Sequence, residues 1–152
     1  MGNDKHWVGT WATAPAPSVA RIGFDNHTIR MMPRVSIGGD TVRVRISNAY
    51  GEGNLEIGEA SVGIRDEGPA IVLGSARRLT FGGASSATVA AGTLVISDPV
   101  KMEVEPLSDL AVTVYLPGTI SPEFQITGRY ARQTNYISPP GNFTENGNMP
   151  VG

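Results

Sequence analysis

TVRVRIS, residues 41–47, decides the fold class of this chain. Val42, Val44 and Ile46 point to one side of an extended backbone, and the arginine and hydroxyl side chains between them point to the other side. This period of two is typical of a β-strand with one buried face and one face in water. Residues 41–47 are therefore predicted to form a half-buried strand.

A hairpin is predicted directly before this strand. Residues 29–37, IRMMPRVSI, are β-rich and lead into Gly38-Gly39-Asp40. A Gly-Gly-Asp tripeptide between two β-rich runs is typical of a tight turn. Pro33 lies inside the first run, and we expect it at a sheet edge or a bulge because proline cannot donate to a strand ladder.

Similar short runs recur along the chain, separated by turns rich in glycine, proline and aspartate. They cover residues 55–64, 70–73, 78–81, 93–97, 100–105, 110–116 and 124–130. Residues 84–92 have a helix-tolerant composition, but the segment is too short and too closely bounded by glycine to predict a helix. The sequence thus predicts an all-β fold, an antiparallel β-sandwich of jelly-roll type with about nine short strands and no long helix.

The domain organisation follows from length and composition. The chain has 152 residues, which is the size of one domain. We assign residues 1–137 to the β-sandwich. Residues 138–152, SPPGNFTENGNMPVG, have no hydrophobic period and are dense in proline, glycine and asparagine. They predict a linker or tail that leads toward a further C-terminal domain, so we expect the chain to be the front part of a longer protein.

Composition excludes several classes of function. The chain has no cysteine, which excludes disulfides, thiolate metal sites and a cysteine nucleophile. The net charge is −2, and no basic stripe is present, so nucleic acid is not an expected partner. The longest apolar runs are far too short for a membrane span. The first residues contain no signal-peptide core, and we favour a secreted or periplasmic location over a cytoplasmic one.

The sequence contains no recognisable catalytic constellation. A serine hydrolase needs a histidine base near its nucleophile, but the two histidines, His6 and His27, lie in no known motif. Glu103 and Glu105 stand on one face of a strand as a glycosidase pair could, yet no neighbour is apparent that would raise the pKa of either one, and a solvated strand face is the simpler interpretation. We predict no catalytic residue, no metal site and no cofactor.

Aromatic and arginine residues are the remaining candidates for binding. Exposed tryptophan and tyrosine rings can stack on sugars or anchor a domain interface. The alternatives are that the tryptophans cap the core and that the arginines, with Arg34, form only a solvated face. The predicted interface or ligand-binding residues are Trp7, Trp11, Arg43, Arg45, Tyr130, Arg132 and Tyr136.

Five blocks of the sequence resemble the N-terminal region of a group of bacterial SGNH/GDSL-type hydrolases. The blocks are WVGTWATAPAP (7–17), RVSIGGDTVRVRISNAYG (34–51), RRLTFGG (77–83), AGTLVISDPV (91–100) and LSDLAVTVYLPG (107–118). Their order and spacing agree with that region, and the resemblance extends over nearly the whole chain, to about residue 142.

The resemblance implies a non-catalytic accessory domain. In such proteins an α/β/α catalytic domain follows the β-sandwich and carries a Gly-Asp-Ser nucleophile block, an oxyanion-hole glycine and asparagine, and a late Asp-x-x-His. None of these blocks occurs in this sequence, and Gly39-Asp40-Thr41 has threonine in place of the serine. The expected partner is therefore a C-terminal SGNH/GDSL catalytic domain, in the same parent chain or as a separate fragment. The β-sandwich would pack on it or assist substrate access.

Two other functions stay open at this point. The chain could be a free-standing carbohydrate-binding module that uses its exposed aromatic rings. It could also be a structural or oligomerising domain whose sheet edge pairs with another chain. The parent protein is expected to be an ester hydrolase, whereas this chain alone is not expected to hydrolyse esters.

Overall fold

A computed structural model describes residues 6–14, 23–120 and 133–152. Within these residues every regular element is a β-strand and every strand pair is antiparallel, which confirms the all-β class. The strands are β1 (Phe24–Met31), β2 (Gly39–Val42), β3 (Arg45–Ser47), β4 (Leu55–Ile57), β5 (Glu59–Ile64), β6 (Arg77–Leu79), β7 (Ala87–Val89), β8 (Leu94–Ile96), β9 (Val100–Val104), β10 (Leu110–Ile120) and β11 (Asn135–Pro140).

One layer of the fold is a five-stranded sheet in the order β11-β1-β10-β5-β6. The long strand β10 lies at its centre, and Val112 and Val114 on it face Val62 and Ala60 of β5. Residues Leu110 to Val114 are buried without interruption, so both faces of this strand are covered. A strand covered on both faces is expected to be mainly apolar rather than alternating, as LAVTVYL is apart from Thr113.

The second layer is a distorted ribbon with an additional strand pair. β2 pairs with β9 and β3 pairs with β8, so residues 39–47 and 94–104 run antiparallel along their length. The ladder is interrupted in the middle, where the Val44 backbone N–H donates to Ser97 Oγ and the Ser97 N–H donates to the Val44 carbonyl. β4 and β7 form a separate two-stranded ladder. We refer to residues 39–47 and 94–104 as the ribbon.

The hydrophobic core lies between the two layers. Buried residues from the five-stranded sheet, among them Val62 and Val112, join Met102 and Val104 of the ribbon in one cluster. Val42, Val44 and Ile46 pack against this cluster, while Arg43, Arg45 and Ser47 are exposed. The period-two pattern of TVRVRIS is therefore realised, and the two layers form a β-sandwich-like fold.

The predicted hairpin at Gly38-Gly39-Asp40 is wrong. Gly39 and Asp40 are part of β2, and β2 pairs with β9, while β1 pairs with β10 and β11. The physical reason is a close approach at Gly38, where a β-carbon would overlap the backbone oxygen of Val104. Glycine is needed there because the backbone of β9 passes too close for a side chain, and not because the backbone turns at this position.

The segment predicted as a linker is packed against the sheet. β11 extends to Pro140, across the expected boundary between residues 137 and 138, and pairs with β1. Beyond it, Thr144 and Met149 are buried. This segment, together with residues 65–76, covers the face of the five-stranded sheet that is turned away from the core, where Ile71, Ala111 and Met32 form a second apolar cluster.

Three further segments differ from their predicted structure or lie outside the described residues. Residues 70–73 form isolated bridges rather than a strand. Residues 84–92, the segment with helix-tolerant composition, contain β7. The run 124–130 lies outside the described residues. The described part of the chain has eleven strands: the runs 41–47 and 55–64 each divide into two, and β7 and β11 form outside the predicted runs.

In the portion of the chain that the structure covers, no helix has the length and apolar character needed to cross a bilayer.

Candidate functional site

The outward side of the ribbon brings arginine and aliphatic side chains together. The alternation that buries Val44 turns Arg43 and Arg45 outward. Arg45 is paired with Ile96 and Ser47 with Leu94 across the β3–β8 ladder. Residues directly opposite each other in an antiparallel pair share one face of the sheet. Ile96 and Leu94 therefore lie beside the arginines.

Trp7 extends this surface, because the N-terminal segment 6–14 is fixed next to the ribbon. Thr10 holds the segment in place: its hydroxyl donates to the Ile37 carbonyl over 2.7 Å and accepts from the Ile37 N–H over 2.9 Å. The Thr10 carbonyl accepts from the Ser36 N–H over 3.1 Å. The Arg43 guanidinium carbon lies 4.1 Å from the centre of the Trp7 ring, within the range of a cation–π interaction.

We call Trp7, Arg43, Arg45, Leu94 and Ile96 the outer ribbon face. Its apolar members are well exposed, with 38% of Trp7, 46% of Leu94 and 37% of Ile96 open to solvent. Scattered apolar residues on a surface are ordinary, but a contiguous group of them marks an interaction site. Tryptophan and arginine are also the residues most enriched among those that dominate binding energy at protein interfaces.

The charges of this face differ from those elsewhere in the described chain. Five other arginines have acceptors. Arg34, Arg65 and Arg78 pair with carboxylates, and Arg30 and Arg77 donate to backbone carbonyls. Within residues 6–14, 23–120 and 133–152, neither Arg43 nor Arg45 forms an ion pair or donates a hydrogen bond to the protein. Among the described residues, the positive charge of the outer ribbon face therefore has no carboxylate partner.

The structure groups only some of the predicted binding residues. Trp7, Arg43 and Arg45 share the outer ribbon face. Trp11 is 38% exposed in the same N-terminal segment. Tyr136 lies elsewhere, on β11, where it packs against the second apolar cluster and is half-buried. Tyr130 and Arg132 lie outside the described residues.

Sequence reasoning missed Leu94 and Ile96. The signal was present, because Val95 between them packs against the core and its neighbours must then face outward. Their position opposite Arg45 could not be predicted, since the pairing of residues 94–96 with residues 45–47 is not encoded in either run alone.

The residues considered for catalysis are not assembled into a reacting group. His27 lies in β1 rather than in a loop, and its Nδ1 accepts a hydrogen bond from the Asp25 backbone N–H over 2.9 Å. Glu103 is exposed on β9, and Glu105 is exposed just after that strand. His6 is exposed in the N-terminal segment.

A second polar cluster surrounds Glu59 at the edge of the covered face of the five-stranded sheet. Its Oε2 accepts hydrogen bonds from Asn142 Nδ2 at 2.6 Å and from the Thr144 hydroxyl at 2.8 Å. Arg78 forms an ion pair with Glu59 at 2.9 Å and another with Glu145. The Asn142 bond, with Thr144 and Arg78, lowers the pKa of Glu59 although burial opposes the shift.

The depression beside this cluster is shallow and small. It has a volume of about 240 Å³ and is lined by Ser61, Arg77 and Arg78 among others. Small-molecule sites usually occupy roughly 300–1,000 Å³ and are mainly apolar. Because its carboxylates and Arg78 already satisfy one another, we interpret this cluster as the attachment of residues 141–149 to the sheet. The outer ribbon face is the candidate functional site.

Comparison with known proteins does not assign the chain to a family. A scan against protein-family models finds no match, and a search of curated proteins finds no significant one.

Proposed function

We propose that this chain is the accessory β-sandwich domain of an SGNH/GDSL-type ester hydrolase. In this proposal the outer ribbon face packs against the catalytic domain. The sequence support is the ordered set of five blocks described above. The observation that carries the proposal is structural: Trp7 lies against Arg43, and exposed Ile96 and Leu94 are paired with Arg45 and Ser47 farther along the same outward side of the ribbon.

The composition of this face suits a domain interface. Interfaces are centred on a few aromatic and arginine residues that become fully desolvated, with apolar neighbours that exclude water. Domain interfaces within one chain also tend to be more polar than obligate ones. An arginine pair beside two aliphatic residues has this mixed character.

The position of the face explains how such a domain could assist catalysis without contributing a reacting group. Arg45, Ile96 and Leu94 lie on paired strands whose inward neighbours pack against the core. Side chains on such strands are held more firmly than side chains on loops, so a docked catalytic domain would have a fixed wall beside its cleft.

A test compares this chain of 152 residues with the longer polypeptide encoded when the reading frame continues past Gly152. Leu94→Ser and Ile96→Ser should each lower the thermal midpoint of the 152-residue chain by about 2–4 °C, because more than half of each residue is already buried against the chain. In the longer polypeptide each should lower the midpoint of the β-sandwich by about a further 2–4 °C, since burial of the rest of each side chain at the interface is worth about 1 kcal/mol.

Leu73→Ser is the matched control. Leu73 is fully exposed in the turn after residue 72, outside the outer ribbon face. It should have no effect in either polypeptide. A shift of the midpoint by Leu94→Ser that is the same in both polypeptides would contradict the proposed interface. A stop codon directly after Gly152, or no Gly-Asp-Ser block downstream, would contradict the proposed parent enzyme.

A carbohydrate-binding module is the second candidate, and the equal exposure of Trp7 and Trp11 favours it. Sugar rings stack on exposed aromatic faces, although the Arg43 guanidinium already lies over one face of Trp7. Retention of the 152-residue chain on a polysaccharide, lost in Trp11→Ala, would support this candidate over the first.

A further inference from the structure

We infer that the surface which docks on the outer ribbon face presents carboxylates to Arg43 and Arg45. This inference rests on the proposed function and adds the chemistry of the partner surface. It concerns a protein surface with Asp or Glu side chains set among apolar residues.

The ribbon carries cations that lack partners in the described chain. Every arginine of the described sheets and loops other than Arg43 and Arg45 has a carboxylate or carbonyl acceptor in the chain. Lys101 is on the same outward side of the ribbon, since it is paired with Thr41 in the β2–β9 ladder, and it has no ion pair in the described part of the chain. If an apolar surface covered the ribbon, these cations would lose water without gaining an acceptor, which is costly. An interface here therefore needs anionic groups.

The position of Trp7 restrains Arg43. The Arg43 guanidinium carbon lies over the Trp7 ring, 4.1 Å from its centre. A guanidinium restrained in this way loses less conformational freedom when its N–H groups bind an acceptor. Its planar set of donors matches a carboxylate in a two-bond arrangement.

The apolar and acidic neighbours of the two arginines favour a protein partner over an anionic polysaccharide. Leu94 and Ile96 stand next to Arg45 and offer no hydrogen bond to a hydrated sugar or phosphate chain. At the other end of the ribbon, Asp40 and Glu103 are exposed and would repel an extended polyanion. A patch with a cationic centre, apolar neighbours and an acidic end matches a folded surface of similarly mixed character.

The test uses the longer polypeptide and its salt dependence. Arg45→Gln should lower the thermal midpoint of the β-sandwich by about 3–6 °C at 20 mM NaCl, because charged hydrogen bonds across the interface are lost. At 1 M NaCl, where the screening length falls to about 3 Å, the difference between wild type and variant should shrink by at least half. In the 152-residue chain the same substitution should shift the midpoint by less than about 1 °C.

Arg34→Gln is the matched control, with the same change of charge on an exposed arginine outside the face. Arg34 pairs with Asp109, which also keeps a partner in Arg65. The control should shift the midpoint equally in both polypeptides.

The outcomes separate the two proposals. If Leu94→Ser destabilises the longer polypeptide more than the 152-residue chain but Arg45→Gln does not, the carboxylate inference is overturned and the interface stands. If neither variant has an effect specific to the longer polypeptide, both are overturned. If wild-type chain binds polygalacturonate and Arg45→Gln does not, a polysaccharide replaces the protein surface, and the inference is again overturned.

Discussion

Arg30 should be the most sensitive single position for the stability of the fold. Its side chain is completely buried in β1, yet within the described residues it has no carboxylate partner. Nε donates to Thr113 Oγ1 over 2.8 Å, Nη1 to the Pro69 carbonyl over 2.6 Å, and Nη2 to the Asn146 carbonyl over 2.7 Å. Burial lowers the pKa of Arg30 to about 10, so the group stays charged at neutral pH.

The expected cost of Arg30→Met follows from these contacts. Nη1 also reaches the Gly147 carbonyl, but that oxygen keeps a bond from the Ile71 N–H. The carbonyls of Pro69 and Asn146 each lose the Arg30 donor, at about 1–3 kcal/mol per unsatisfied group. Relief from burying a charge offsets part of this loss. We expect a net decrease in the free energy of unfolding of about 3 kcal/mol, or a midpoint about 6–12 °C lower.

The assay is chemical denaturation followed by tryptophan fluorescence, with hydrogen exchange measured by mass spectrometry. Exchange should increase first in residues 141–149, because Arg30 ties them to the sheet. Arg77→Met is the control: Arg77 also donates to backbone carbonyls, those of Gly74, Ala76 and Lys101, but from an exposed position. It should cost less than about 1 kcal/mol. Equal stability of Arg30→Met and Arg77→Met would refute the reasoning.

Three other predictions concern the backbone and acid sensitivity. Gly38→Ala should destabilise the chain by about 2 kcal/mol because its β-carbon would overlap the Val104 oxygen, whereas Gly39→Ala, with nothing nearby, should change the denaturation midpoint little. The lowered pKa of Glu59 gives stability that is present above its unfolded pKa and lost as the pH falls through the folded value, so Glu59→Gln should weaken the dependence of the thermal midpoint on pH below about 4.5. Asp98, whose pKa is lowered by the Thr80 hydroxyl and by the N–H groups of Gly83 and Gly82, should behave in the same way in Asp98→Asn.

Local periodicity predicted the strands well where one face is buried and the other is in water. Residues 42–47 alternate as expected, and residues 100–104 bury Met102 and Val104 while Lys101 and Glu103 are exposed. Pairing was not predictable, because a run of alternating residues does not specify which distant run completes its ladder. The pairing of Gly39 with Val104 in place of a local hairpin illustrates this.

Burial of the polar face of the five-stranded sheet could not be predicted from the sequence either. Thr28, Arg30, Thr113 and Ser61 are all buried, but their side chains indicate a solvated surface when the sequence is considered alone. Residues 141–149 supply backbone oxygens to Thr28, Arg30 and Ser61, and Arg30 in turn donates to the Thr113 hydroxyl. Residues 141–149 have no hydrophobic period, so the sequence did not predict that they pack on the sheet. For the same reason it did not predict that the polar face beneath them is buried.

The sequence predicted the arginine and tryptophan residues of the candidate site but not its aliphatic residues. Outward arginines follow from the alternation in residues 41–47, and Trp7 was selected as an exposed aromatic residue. Their contact depends on the Thr10 hydrogen bonds to residues 36 and 37, which no local pattern encodes. The aliphatic half of the face depends on the pairing of β3 with β8.

Hydrogen exchange of the 152-residue chain and of the proposed parent polypeptide, in which a catalytic domain would follow residue 152, tests the proposed interface most directly. The account predicts slower exchange in the longer polypeptide for residues 41–47 and 93–97, which carry the outer ribbon face. It predicts unchanged exchange for residues 65–76 on the opposite side of the fold. Protection of residues 65–76 without protection of the ribbon, or identical exchange throughout the two polypeptides, would contradict it.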